Sequence, residues 1–200
     1  LSLELLEMVN AHQLLVPRLA YEQHPASHPE HGWLQLGVTR LQGRRLASVL
    51  ASATAGFVAV CTIGSRLEEH VQRYFDARER TKALLLDGIG SAAADAVARE
   101  SCHLLHELAA SRGESASSAL SPGTSGFPLS EQKKVFQLVD AGRIGVHLTP
   151  TIMMAPRKSI SMVVGIGPEM PTWTQEEICA NCGMRETCRY RTCLSASGGQ

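Results

Sequence analysis

The sequence predicts an α+β fold followed by a cysteine-rich extension. Three observations predict it. Phe57 to Ile63 is a continuous apolar, largely β-branched run, the pattern of a strand covered on both faces. Just behind it, Leu67, Val71 and the Tyr74/Phe75 pair recur at helical spacing. Four of the six cysteines, Cys179, Cys182, Cys188 and Cys193, fall in the last 22 residues.

Along the chain, Leu1 to Leu19 reads as a helical segment broken by Pro17. His24, Pro25, His28, Pro29 and His31 read as a solvated loop. Trp33 to Thr39 alternates as a short strand does, and Leu46 to Ala55 reads as helix. Gly64 ends the Phe57–Ile63 strand, and Ser65 with Glu68 has the spacing of a capping box opening a helix to about Arg80. Lys82 to Leu86 suits a strand or a helix start, and a long helix follows to Ser111 with Val97, Leu104, Leu105 and Leu108 on its apolar side. Gly113 to Gly126 is rich in Ser, Gly and Pro and reads as a ligand-covering loop. Pro128 to Gly142 reads as helix, and Ile144–Leu148 and Ser159–Ile166 as strands joined by a connector bounded by Pro150 and Pro156. Pro168 and Pro171 turn the chain away. The predicted division is a domain over 1–168 and a tail over 169–200.

Composition narrows the function. Formal net charge is zero and no basic stripe carries interleaved aromatics, which argues against nucleic acid. No apolar run reaches the roughly 18–20 residues that span a bilayer, so no membrane partner is expected. Leu1 to Asn10 carries acids and no basic start, unlike a secretory signal. A cytoplasmic location is the expectation. Aromatics make up only 4%, so the core must rest on Leu, Val, Ile and Ala. Cys61 and Cys102 lie in apolar stretches and read as small buried hydrophobes.

The tail spacing is C-x2-C-x5-C-x4-C. A C-x2-C knuckle aims two sulfurs at one ion, and two more nearby complete four-fold sulfur ligation. Tetrahedral Zn2+ and a [4Fe-4S] cluster both fit, with disulfides as the plain alternative. Arg185, Arg189 and Arg191 offset thiolate charge around either centre.

Other motifs are weaker. Gly88-Ile89-Gly90-Ser91-Ala92-Ala93 imitates a dinucleotide fingerprint, but no second strand with an acid follows at the required distance. A glycine turn that lets helix and strand pack closely is the better reading, and Asp87 reads as a cap for the helix behind it, with a functional acid as the alternative. His103 and His106 lack the partners of a metal site. Met153 and Met154 read as core filling, or as a soft surface for a partner.

Several segments, in order, resemble the activation domain of cobalamin-dependent methionine synthase and its small stand-alone relatives. They are Pro122-Gly123-Thr124, Ile144-Gly145-Val146-His147-Leu148-Thr149, and Met154-Ala155-Pro156-Arg157-Lys158-Ser159-Ile160-Ser161. Upstream, Cys61-Thr62-Ile63-Gly64 with Leu67-Glu68, and Leu86-Asp87-Gly88-Ile89-Gly90-Ser91, add to it. The resemblance covers about Ser48 to Gly167. It implies a twisted, largely antiparallel sheet with surrounding helices. It also implies reductive methylation, in which cob(II)alamin takes one electron and a methyl group from S-adenosylmethionine. The partner would be a corrinoid protein or cobalamin-dependent methyltransferase, with the corrinoid carried in trans. Cofactor-binding positions carried over are Ser121, Pro122, Gly123, Thr124, Gly126 and Glu100. The donor-binding signature Arg-x-x-x-Gly-Tyr falls on Ala119, Gly123 and Thr124, so only its glycine is present, and its acidic partner aligns near Arg99 and Glu100. An arginine–carboxylate contact is worth about 1.5–3 kcal/mol, so its loss predicts donor binding weakened by one to two orders of magnitude. The tail then supplies the other requirement of reductive activation, a low-potential electron. The alternative role is a non-catalytic binding subunit with a structural zinc tail.

Overall fold

Valine, isoleucine and phenylalanine on both faces of the Phe57 run require cover on both sides, and the fold supplies it. The computed structural model describes residues 1–28, 31–174, 177 and 186–187. Its elements run α1 (Ser2–Ala11), β1 (Arg18–Ser27), β2 (Trp33–Leu36), β3 (Thr39–Gln42), α2 (Arg44–Val49), β4 (Ala55–Thr62) and α3 (Arg66–Asp76). Then come α4 (Arg80–Ala110), β5 (Ser115–Ala116), the one-turn α5 (Gln132–Val135), β6 (His147–Leu148), β7 (Met154–Ala155) and β8 (Ser159–Gly167). A six-stranded sheet has the order β3-β2-β1-β4-β8-β5, with every pair antiparallel. β6 and β7 form a separate ribbon. The fold is α+β with a largely antiparallel sheet and surrounding helices.

β4 and β8 lie at the sheet's centre, paired from Ala55↔Ile166 to Thr62↔Ser159. Phe57, Ala59 and Cys61 face one side together with Met162, Val164 and Ile166, and α4 covers them with Leu105 and Ala109. Tyr21 from β1 meets Phe57 edge-on at 5.8 Å between ring centroids. The alternate residues face the other side. There the buried Ser161 hydroxyl donates to Gln132 Oε1 of α5 at 3.0 Å. An added Cβ at Gly165 would meet Leu50, just past α2, at 2.7 Å. Thus α4 covers one face, and α2 with α5 the other.

Several expectations are corrected. Arg18 to Ser27 is a strand, not a helix end and loop, even though it contains Pro25. His24 Nε2 lies 2.7 Å from the Leu138 carbonyl and His28 Nε2 3.2 Å from that of Ala53, so these rings bind backbone rather than only water. The segment Leu46 to Ala55 is helical only to Val49, and Ala55 already belongs to β4. No capping box forms: Ser65 donates to Glu69 Oε1 at 2.7 Å, and Glu68 is engaged elsewhere. α3 stops at Asp76.

Lys82 to Ser91 is neither strand nor turn but the interior of the 31-residue α4. Its leucines follow helical phase, with Leu86 fully buried and Leu84 exposed. Because the Gly88–Ser91 amides sit inside a helix, they are spent on the preceding turn. A dinucleotide site needs the free amides of a helix start, so the imitation fails for a physical reason. Asp87 caps nothing. Gly90 is nevertheless a close-approach position: a Cβ there would stand 2.6 Å from Leu67 Cδ2. Further along α4, Leu104 is exposed rather than inward.

The serine-rich loop after α4 is an edge strand in its first half. Ser117 is fully buried, and its amide donates to the Gly165 carbonyl at 2.9 Å. Leu120 and Val163 exchange both backbone bonds. Pro128 to Gly142 holds one turn of α-helix rather than a full helix, although Val135, Leu138 and Val139 are buried and Phe136 half-buried. Met153 is exposed, so it fills no core.

Cys61 is buried and Cys102 half-buried, both as free thiols. Burial pushes the Cys61 thiol up from its ordinary 9.0 to about 11, and burial also raises that of Cys102. Between pH 9 and about 11 the unfolded chain gives up the Cys61 proton while the folded chain keeps it. Folding stability therefore falls as pH rises through that window, by about 1.4 kcal/mol per pH unit from this group. Urea unfolding should show a shallower alkaline loss for Cys61→Ala than for the wild type. Equal slopes would mean that the thiol is not held neutral.

The chain divides into two units, 1–170 and 171–200. Among the described residues no helix is long and apolar enough to cross a membrane.

Candidate functional site

Three of the sequence segments quoted above meet around one side chain. Lys158 stands at the start of β8, where it leaves the connector from β7. Its ammonium donates to Asp87 Oδ1 at 2.8 Å and to Ser91 Oγ at 2.8 Å, both on α4. Its stem runs past Gly90, where a Cβ would come within 3.3 Å of Cε. Its carbonyl accepts from the Ile63 amide at 3.2 Å and from the Thr62 hydroxyl at 3.3 Å. Thr62 Oγ1 also accepts from the Gly64 amide at 3.0 Å, and the Ser159 hydroxyl donates to the Pro156 carbonyl at 2.7 Å. The Arg157 amide donates to Glu68 Oε2 at 2.8 Å. Motifs from α3, α4 and the β7–β8 connector thus form one polar junction.

The junction opens into a cleft of about 440 Å3 between α3, α4 and the connector. Lys158 is only 14% exposed, whereas Asp87 is 48% exposed. The pair is therefore anchored on the lysine side and open to solvent on the acid side. Phe75 and Leu84 stand exposed at the rim, so the cleft offers apolar surface beside both signs of charge. Sequence reasoning weighed Asp87 as a functional acid but preferred a helix cap, and assigned no role to Arg157 or Lys158. The usable signal was present: both fall in segments of the family resemblance, and folding is what brings those segments together.

The carried-over donor loop is placed differently. Its backbone closes upon itself, with the Gly123 amide on the Phe127 carbonyl at 2.8 Å and the Phe127 amide on the Thr124 carbonyl at 3.0 Å. The Thr124 hydroxyl is spent on the Ser121 carbonyl at 2.7 Å. The Gly126 carbonyl accepts from the Arg45 amide of α2, and the loop then leads to α5. Ser121 and Pro122 are half-buried, while Gly123, Thr124 and Gly126 are exposed. Glu100 lies on α4, which covers the opposite face of the sheet. It lines an apolar groove of about 450 Å3 with Pro17, Leu19, Val97 and Leu104, and no residue of the loop shares that groove. The structure does not bring Glu100 to the loop. Arg99 beside it is ion-paired with Asp95.

These residues do not fit a donor that carries a carboxylate. Ala119 packs against the apolar cluster under α4 instead of offering a cation. Thr124 offers a hydroxyl already in use. The four tail cysteines lie outside the described residues. Among the described residues no group of three or more His, Cys, Asp or Glu is placed to hold a metal.

The chain matches no family model and no curated protein. Its fold has a solved counterpart. It is similar to the crystal structure of the MetH reactivation domain bound to AdoHcy, with a TM-score of 0.63 over 86% of this chain. Identity is 13%, so the likeness is one of fold. The chain spans 65% of that neighbour's length.

Proposed function

We propose that this protein assists the reductive activation of a corrinoid-dependent methyltransferase, working on a cobalamin carried by its partner. The observation that carries the reading is the shared architecture with the MetH reactivation domain, over 86% of the chain, in company with ordered motifs of the same family. In this reading the 1–168 domain meets the corrinoid protein. Cys179, Cys182, Cys188 and Cys193 hold a [4Fe-4S] cluster, with Zn2+ as the alternative metal. Such a cluster supplies a single low-potential electron. Held by those four thiolates, the cluster would give one electron to the cobalt of the partner's cob(II)alamin and would itself be oxidised by one.

The chain's own residues argue against methyl donation by this protein. Ala119 and Thr124 leave the donor loop without a cation or a free hydroxyl at the matching positions. The same observation favours a second reading, a binding subunit that keeps the fold, has lost S-adenosylmethionine, and uses a zinc tail for structure.

The test is recovery of an inactivated corrinoid methyltransferase under anaerobic conditions with a chemical low-potential reductant. Recovery of methyl transfer should require this protein and proceed with S-adenosylmethionine bound elsewhere. Recovery at the same rate without it would overturn the reading. Calorimetry with S-adenosylmethionine and this protein alone should show no tight complex.

A further inference from the structure

The cleft beside Lys158 carries its own chemical demand, independent of any corrinoid partner. Its walls hold three carboxylates, Glu68, Glu69 and Asp87, and two cations, Arg157 and Lys158. Each sign is only partly satisfied. Glu68 uses one oxygen on the Arg157 amide, Asp87 uses one on Lys158, and the Arg157 side chain is exposed without an ion pair among the described residues. Phe75 and Leu84 add exposed apolar surface, at 42% and 65%. A volume of about 440 Å3 is that of a small-molecule site.

Three ligand classes fail against this lining. A simple anion would face three carboxylates. A simple cation would face the guanidinium and the ammonium. A neutral apolar molecule would strip water from five charges without replacing it, which is costly. A molecule bearing both signs and an apolar arm meets every wall. We propose that this cleft binds a small zwitterion with an apolar side chain, in chemical class an apolar α-amino acid. Its carboxylate is received by Arg157, with Lys158 behind, and its ammonium by Glu68 and Asp87. Its side chain lies against Phe75 and Leu84. Lys158, tied down by Asp87 and Ser91, fixes the cationic end, and the exposed Arg157 side chain receives the carboxylate.

The experiment uses the full chain and calorimetric or ligand-observed NMR titration with L-phenylalanine, phenethylamine and 3-phenylpropionate. The two analogues each keep the ring and lose one charge. A charged hydrogen bond is worth about 1.5–3 kcal/mol, so each analogue should bind at least about tenfold more weakly than the amino acid. Arg157→Gln, at an exposed side chain, should weaken L-phenylalanine about tenfold and leave phenethylamine unchanged. An unchanged urea midpoint establishes that the variant is folded. Absence of saturable L-phenylalanine binding, an analogue that binds as tightly, or an Arg157→Gln protein that binds L-phenylalanine like the wild type would each overturn the proposal.

Discussion

If the tail holds the metal as proposed, serine at Cys179, Cys182, Cys188 and Cys193 together should abolish metal binding and return cob(II)alamin reduction to the background seen without the protein. The physical reason is ligand chemistry. A thiolate binds Zn2+ or iron as a soft, charged donor, and a serine hydroxyl at neutral pH is neither. Among the described residues no alternative ligand group exists to take over. Cys61 is buried in the core with its thiol pushed up to about 11, which makes it a poor thiolate source. The two readings of the tail separate here. With an electron relay, metal content and reduction are lost together. With a structural zinc, metal is lost while binding of the corrinoid enzyme changes and reduction was never present. Metal analysis by mass spectrometry and the reduction assay, run on the same anaerobic preparation, read both. Full metal content in the variant would remove the tail from the account.

The second large effect is on stability. Gly126→Ala should cost about 2–5 kcal/mol, combining left-handed backbone strain of roughly 1–2 kcal/mol with overpacking of roughly 1–3 kcal/mol. Gly126 has φ of +77°, and a Cβ on it would stand 2.7 Å from Arg45 Cβ and 3.1 Å from the Arg45 amide nitrogen. The amide cannot retreat, because it already donates to the Gly126 carbonyl at 3.2 Å. Gly43 presses from the other side, where a Cβ would meet the Gly126 carbonyl at 2.9 Å. Gly123→Ala is the matched control. It shares a positive φ, +92°, but its Cβ would meet only Leu129 at 3.6 Å. Urea unfolding should show Gly126→Ala to be clearly the more damaging of the two. Equal losses would mean that the loop does not seat on α2 as described.

What the sequence disclosed depended on how cleanly each segment obeyed one periodicity. β4 and β8 are apolar on both faces, and α3 keeps its apolar residues at helical spacing, so all three were legible. β1 was not. Only Ala20 of its ten residues is buried, and it carries Pro25, so its strand character comes from pairing with β4 rather than from its own pattern. β5 and the residues just after it are serine-rich, and their place is set by hydrogen bonds to β8, which composition cannot reveal. The Lys82–Leu86 run fits either period, and tertiary packing of Leu86 and Gly90 against α3 decides for helix. The cleft was legible only in pieces, because Asp87 and Lys158 lie far apart along the chain and meet through folding.

The most direct test is to mix the anaerobically reduced protein rapidly with a corrinoid methyltransferase held as cob(II)alamin, and to follow both chromophores. A brown protein whose centre is oxidised by one electron as one cob(II)alamin disappears, in step, is the predicted result. A colourless protein carrying one zinc, with cob(II)alamin untouched, would contradict it.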